Sequence, residues 1–202
     1  MNLKYIAIDG VIGVGKTTLT NMLAETYTGS TVFEIVEENP FLADFYRDPK
    51  RYAFQTQLFF LLSRYRQQQE MLQQDLFSSV LVADYLFAKD KIFAHLTLED
   101  RELVLYDKIL VSLEKEIVKP DLVIYLKSSP ARLMANIATR GRSFEKNMSA
   151  EYIESLNRSY NQFFNVYKET PLLVINATEL DFVQNTDDYN FILKQIEDLS
   201  CS

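Results

Sequence analysis

The sequence predicts an α/β fold in which a five-stranded parallel sheet is flanked by helices. Three features carry that prediction: short apolar runs rich in β-branched residues, helical patterns in the intervals between them, and glycines clustered just after the first run. Strands apolar along their whole length are buried on both faces, which a parallel sheet between two helical layers provides.

The elements follow in order. Leu3–Asp9 reads as the first strand, with a glycine loop after it and a helix from Lys16 to about Thr28. Thr31–Glu37 is β-branched and apolar and reads as the second strand. Pro40 opens a short helix that ends near Asp48-Pro49, and from Arg51 to Gln74 apolar residues recur at helical spacing without a breaker. Ser79–Asp84 is a third strand, followed by helices over about Phe87–His95 and Leu98–Val118, the latter ended by Pro120. Asp121–Lys127 and Pro171–Ala177 are the fourth and fifth strands, with helices between them and a last helix over about Asp187–Leu199. Right-handed crossovers then place the glycine loop at the carboxyl end of the first strand, where ligands bind in such sheets.

The 202 residues suffice for one domain, 1–202, with its own core. One cysteine, Cys201, leaves no disulfide framework and fits a reducing, cytoplasmic setting. No apolar run is long enough for a membrane span, and a net charge of -7 argues against non-specific nucleic-acid or anionic-membrane binding. His95, the only histidine, reads as a helix-terminal residue.

Three of the five glycines, Gly10, Gly13 and Gly15, lie within the stretch IAIDGVIGVGKTTLT, Ile6 to Thr20. Gly10, Gly15, Lys16 and Thr17 fit G-x-x-x-x-G-K-[ST], a phosphate loop whose amides form an anion nest at a helix start. Lys16 would reach the β- and γ-phosphates of ATP, Thr17 would ligate Mg²⁺, and Thr18 extends the cradle. The loop names a triphosphate donor and leaves the acceptor open.

A lid is expected over about 138–148, where Arg140 and Arg142 flank Gly141, the only glycine in the second half. Two guanidinium groups beside a hinge suit closure over a transferring phosphate; a helix end capped by glycine is a compatible reading.

Four motifs in order, IAIDGVIGVGKTTLT, VEENPFLADFYRDPKRYAFQTQLFFLLSRY, VADYLFAKDKIFA and RGRSFE, resemble the deoxynucleoside kinase family, in particular bacterial deoxyadenosine or deoxyguanosine kinases. The resemblance spans about Tyr5 to Tyr167 and implies transfer of the ATP γ-phosphoryl group to the 5′-hydroxyl of a deoxynucleoside. It implies a general base at the end of the second strand, Glu37 with Glu38 as rival, a sugar-reading pair Tyr46 and Glu145, and a base-reading Gln55. It also implies that Asp84 stands near Mg²⁺ and that Asp90 reads base amino groups, directly or through Arg64. Phe54, Phe59, Phe60 and Phe87 are candidates to sandwich the base. An acidic reader favours adenine, guanine or cytosine over thymine, which has no exocyclic amine, so a purine deoxynucleoside is expected, with deoxycytidine as a second substrate. Family subunits pair through long helices, which implies a homodimer.

The pattern also departs from the family. Where many relatives read E-R-S this chain has Asp84-Tyr85-Leu86, and Asn136 stands where animal relatives carry a lid arginine. Lys91 and Arg132 are candidates to compensate. Two other readings stay open: a thymidylate-kinase-like enzyme acting on a monophosphate, and a nucleotide-binding subunit without turnover.

Overall fold

The computed structural model describes residues 3–73 and 79–200. Gln74, the expected last residue of the long helix, and Cys201 lie outside them. The elements are β1 (Tyr5–Gly10), α1 (Lys16–Thr26), β2 (Ser30–Val32), α2 (Leu42–Arg47), α3 (Pro49–Gln73), β3 (Leu81–Ala83), α4 (Lys89–Thr97), α5 (Asp100–Leu113), β4 (Leu122–Lys127), α6 (Pro130–Arg140), α7 (Ala150–Val166), β5 (Leu172–Asn176) and α8 (Thr186–Ser200).

The five strands form one sheet in the order β2-β3-β1-β4-β5, and every pair is parallel. β1 is central and buried along its whole length, which explains why YIAIDG has only one charge, Asp9. Strands β1, β3 and β4 supply the middle of the main core, and Leu19, Leu23, Leu133, Leu156 and Ile192 from the surrounding helices close over it. A second cluster centred on Leu61, Tyr106 and Leu110 joins α3, α4 and α5, and a third, Leu42, Phe45 and Ala53, seats α2 on α3.

The second strand is shorter than expected and ends at Val32 rather than Glu37. It is an edge strand, and past it the Glu34 amide donates to the Asp84 carboxylate (2.7 Å) instead of to a neighbouring strand. Gly29, just before it, has no room for a side chain: a Cβ there would lie 2.2 Å from the Val80 carbonyl oxygen. That close approach sets the register in which Ser30 faces Leu81. The helix after α4 is also shorter than Leu98–Val118; it ends at Leu113 and continues as a 3₁₀ turn over Glu114–Glu116.

At the far side, Ser129 caps α6 by accepting from the Arg132 amide, Pro130 opens it, and Gly141 closes it in the left-handed conformation (φ 68°). A 3₁₀ turn over Ser143–Glu145 follows, and α7 begins after the Ser149 cap. Among the described residues no helix is long and apolar enough to cross a membrane.

Candidate active site

The loop between β1 and α1 lies at the carboxyl end of the central strand, with Gly10, Gly13 and Gly15 all at positive φ. Gly13 also has α6 against it: a Cβ there would meet the Leu133 carbonyl oxygen at 2.8 Å. The Asn136 amide donates to the Gly13 carbonyl oxygen at 2.8 Å, tying α6 to the loop. Lys16 curls back, its ammonium donating to the carbonyl oxygens of Gly10 (2.8 Å) and Val11 (3.3 Å). Burial and, after it, the like charge of Lys89 lower its pKa to about 8. The Thr17 hydroxyl donates to Asp84 Oδ2 at 2.7 Å. Behind the loop, the buried Asp9 carboxylate accepts from the Gly10 amide (2.7 Å), the Tyr160 phenol (3.2 Å) and the Leu86 amide (3.3 Å).

Two cavities flank this loop. One, of about 580 Å³, is lined by Gly13, Gly15 and Thr18 on one side and by Arg132, Asn136 and Phe182 on the other. The second, of about 230 Å³, lies between the loop, α2, α3 and the 3₁₀ turn over Ser143–Glu145. They share four lining residues: Lys16, Thr17, Arg140 and Arg142.

The smaller cavity has a charged floor. Glu34 accepts from the Lys89 ammonium at 2.7 Å and from Arg64 through Nε at 3.0 Å and through Nη2. Arg64 in turn donates through Nη1 to Asp90. The charges alternate, Asp90–Arg64–Glu34–Lys89, so each buried ion has an opposite neighbour. Burial alone would raise the Glu34 pKa, but Arg64 and Lys89 together hold the carboxyl well below the usual range. For Asp90 burial dominates and its pKa rises despite Arg64.

Tyr46 and Glu145 both line this cavity. Burial first, then the neighbouring Tyr152 and Glu145, push the Tyr46 phenol well above its ordinary pKa, so it stays a hydrogen-bond donor. Glu145 is buried and accepts from Arg140 through Nη2 and, at 3.3 Å, through Nε.

Several expected residues stand elsewhere. Gln55 is exposed and absent from the cavity wall; Gln57 is buried and lines it, with Thr56, Phe60 and Arg64 on the same helix face. The spacing of 57, 60 and 64 along α3 was the available signal. Glu37 reaches the rim, but its side chain is 64% exposed and pairs with Arg142 at 3.2 Å, while Glu34, beyond the strand end, is only 15% exposed. A lone glutamate inside the apolar run VFEIV marked it, because a charge in such a run must be paired when buried. Glu38 is exposed. Asp90 is fully buried behind Arg64 and does not reach the cavity, so only the indirect reading fits its position.

Of the four phenylalanines, Phe60 lines the cavity, while Phe54 and Phe87 pack in the second core cluster. Phe59 packs edge-on against Phe60, outside the wall. Phe93 and Phe144, not expected, line it too. Lys91 pairs with Glu114 at 2.7 Å, away from the cavities, and the cation beside Glu34 is Lys89. Tyr85, in place of the family's arginine, is fully buried, Arg132 lines the larger cavity, and His95 is exposed on α4.

Comparison with known proteins shows the family. Residues 6–201 match the family profile described as deoxynucleoside kinase. The chain is 37% identical over 200 residues to a deoxyguanosine kinase of Bacillus subtilis (strain 168), covering 96% of this chain and 97% of that protein. It is 38% identical over 181 residues to a deoxyadenosine kinase of Dictyostelium discoideum, covering 87% of this chain and 73% of the relative. Its fold superposes with a TM-score of 0.84 on a deoxyadenosine kinase from M. mycoides with products dCMP and a flexible dCDP bound, at 28% identity, covering 96% and 99% of the two chains. A phosphate loop opening onto two joined cavities and a match over nearly the whole chain place this protein in the deoxynucleoside kinase family.

Proposed function

We propose that the chain transfers the γ-phosphoryl group of ATP to the 5′-hydroxyl of a deoxynucleoside, preferring a purine and accepting deoxycytidine as a second substrate. The carrying observation is the pair of cavities that meet at Lys16, Thr17, Arg140 and Arg142. A donor seated on the glycine loop and an acceptor in the smaller cavity would have their reacting ends at these four residues.

Glu34 is the carboxylate best placed to take the 5′-hydroxyl proton, being the partly buried acid on the floor of the acceptor cavity. The 5′-oxygen bonds to the γ-phosphorus, the bond to the β,γ-bridging oxygen breaks, and ADP leaves. Lys16, Arg140 and Arg142 neutralise charge that spreads over the transferred group. Thr17 and Asp84 offer hard oxygen donors, which suit Mg²⁺ held mostly by phosphates and water. Among the described residues no group of three His, Cys, Asp or Glu forms a cage for a metal. When bound there, Mg²⁺ would supply charge neutralisation on the donor phosphates. Tyr46 and Glu145 would hold the sugar 3′-hydroxyl, and Gln57 and Arg64 would meet the base edge with an amide and a guanidinium.

Relatives named for deoxyguanosine, deoxyadenosine and deoxyadenosine/deoxycytidine support a purine preference with deoxycytidine beside it. The lone tail cysteine supports a cytoplasmic, reducing setting. A homodimer through α3 and α5 is supported by exposed Leu62, Val104, Leu105 and Val111. ATP consumption measured with each of four deoxynucleosides, their ribonucleosides and thymidine monophosphate tests the reading; turnover of the monophosphate alone would refute it.

A further inference from the structure

Lys89 is the first residue of α4 and is 2% exposed, yet it lines the acceptor cavity. Its ammonium donates to Glu34 Oε2 at 2.7 Å and lies 5.9 Å from the centre of the Tyr85 ring. An ammonium has three N–H donors. Among the described residues Glu34 is the one hydrogen-bond acceptor that the Lys89 side chain meets. Arg64, the other cation on Glu34, spends its fork on two acids, Glu34 and Asp90. Lys89 therefore keeps two donors beyond the one on Glu34, and they are buried at a cavity that Lys16 and Thr17 also line. Buried donors without acceptors are costly, and an oxygen-rich ligand group relieves that cost. Neutralising Glu34 needs only one N–H, so the remaining two call for another partner.

We propose that Lys89 is a catalytic residue: its ammonium, seated on Glu34, donates to the phosphoryl oxygens as the group arrives on the acceptor. This rests on the kinase reading above. The Glu34 carboxylate takes the 5′-hydroxyl proton, the 5′-oxygen bonds to phosphorus, and the electron pair of the broken P–O bond leaves with ADP. Lys89 contributes hydrogen bonds and charge and takes no part in the proton transfer. Tyr85 is walled off in the core, and Lys89 brings its cation to the Glu34 carboxylate from α4.

The experiment compares the affinity of deoxyguanosine with dGMP, and of deoxyadenosine with dAMP, by calorimetry in wild type, Lys89→Met and Lys89→Arg. Kinetics with ATP and the same nucleosides accompany it. Lys89→Met should weaken monophosphate binding by about tenfold or more while nucleoside binding changes by less than about threefold. At saturating nucleoside its kcat should fall about 100-fold with KM nearly unchanged, and Lys89→Arg should recover most of both losses. A role confined to holding Glu34 would leave the ratio of monophosphate to nucleoside affinity unchanged, and that result overturns the proposal. Should Lys89→Met fail to fold, the same ratio is compared between Glu34→Gln and Glu34→Gln/Lys89→Met, in which no buried carboxylate is stranded. Wild type that turns over no deoxynucleoside refutes the kinase reading; wild type that turns over while the ratio stays fixed refutes only the role of Lys89.

Discussion

Thr17 and Asp84 are joined across the sheet, the hydroxyl at the start of α1 donating at 2.7 Å to the carboxylate that follows β3. The other oxygen of Asp84 accepts from the Glu34 amide at 2.7 Å, so one carboxylate links the donor loop to the floor of the acceptor cavity. Asp84→Asn, which turns one acceptor into a donor, should lower kcat by about 100-fold and raise the Mg²⁺ concentration needed for half-maximal rate. A magnesium titration of steady-state rates checks both effects.

Glu34 and Glu37 separate by the same logic. Glu34→Gln should cost at least about 1000-fold in kcat with nucleoside binding little changed, as expected for loss of a positioned base together with its charge. Glu37→Gln should keep kcat within about fivefold, because its exposed pair with Arg142 is of the kind worth about 1 kcal/mol or less. Steady-state kinetics of both variants decide the assignment.

On α3, Gln57→Leu should raise the nucleoside KM by about tenfold or more, whereas Gln55→Leu should leave it within about twofold. The profile across bases is the measurement, and equal effects at the two positions would place neither on the base.

Arg64 lies between two buried acids, so its loss should be felt in stability as well as in binding. Arg64→Leu strands Asp90 and leaves Glu34 with Lys89 alone, and should destabilise the fold by about 3–5 kcal/mol, read by urea denaturation. Arg64→Leu combined with Asp90→Leu should recover part of that loss, because fewer carboxylates are left unpaired.

Lys16 gives a pH signature. Its pKa of about 8 means that the free enzyme loses the ammonium as pH rises through that value, so kcat/KM for ATP should fall above it. Stability moves the other way: between about 8 and its ordinary value of 10.5 the unfolded chain binds the extra proton, so this lysine's contribution to unfolding free energy rises with pH. Kinetics and urea melts over that range test the pair of opposite trends.

What the sequence disclosed, and what it hid, follows from how local each constraint is. The glycine loop and the Gly141 stop of α6 depend on neighbouring residues alone, and each could be read directly. Gln55 and Gln57 differ by two positions, which on a helix turns a side chain by about 200° and exchanges cavity for solvent. Glu34 bore a local mark, a charge inside the apolar run VFEIV, but its place on the cavity floor was hidden because nothing local says that the edge strand ends at Val32. Asp90 shows its charge in the sequence but not the guanidinium that stands between it and the ligand. Lys89 rather than Lys91 is a matter of helix face, settled only once α4 is packed against Glu34.

Gly29 has a reach that its position hides. It touches neither cavity beside the phosphate loop, yet its backbone packs so closely on Val80 that an added Cβ would lie 2.2 Å from the carbonyl oxygen, and the strand that starts there leads on to Glu34. Any side chain there would push the edge strand outward and carry the acid away from Lys89 and Arg64. A neutral-looking exchange in a surface turn would thus act as a loss-of-function lesion, and a survey of tolerated substitutions should find Gly29 as intolerant as the phosphate loop itself.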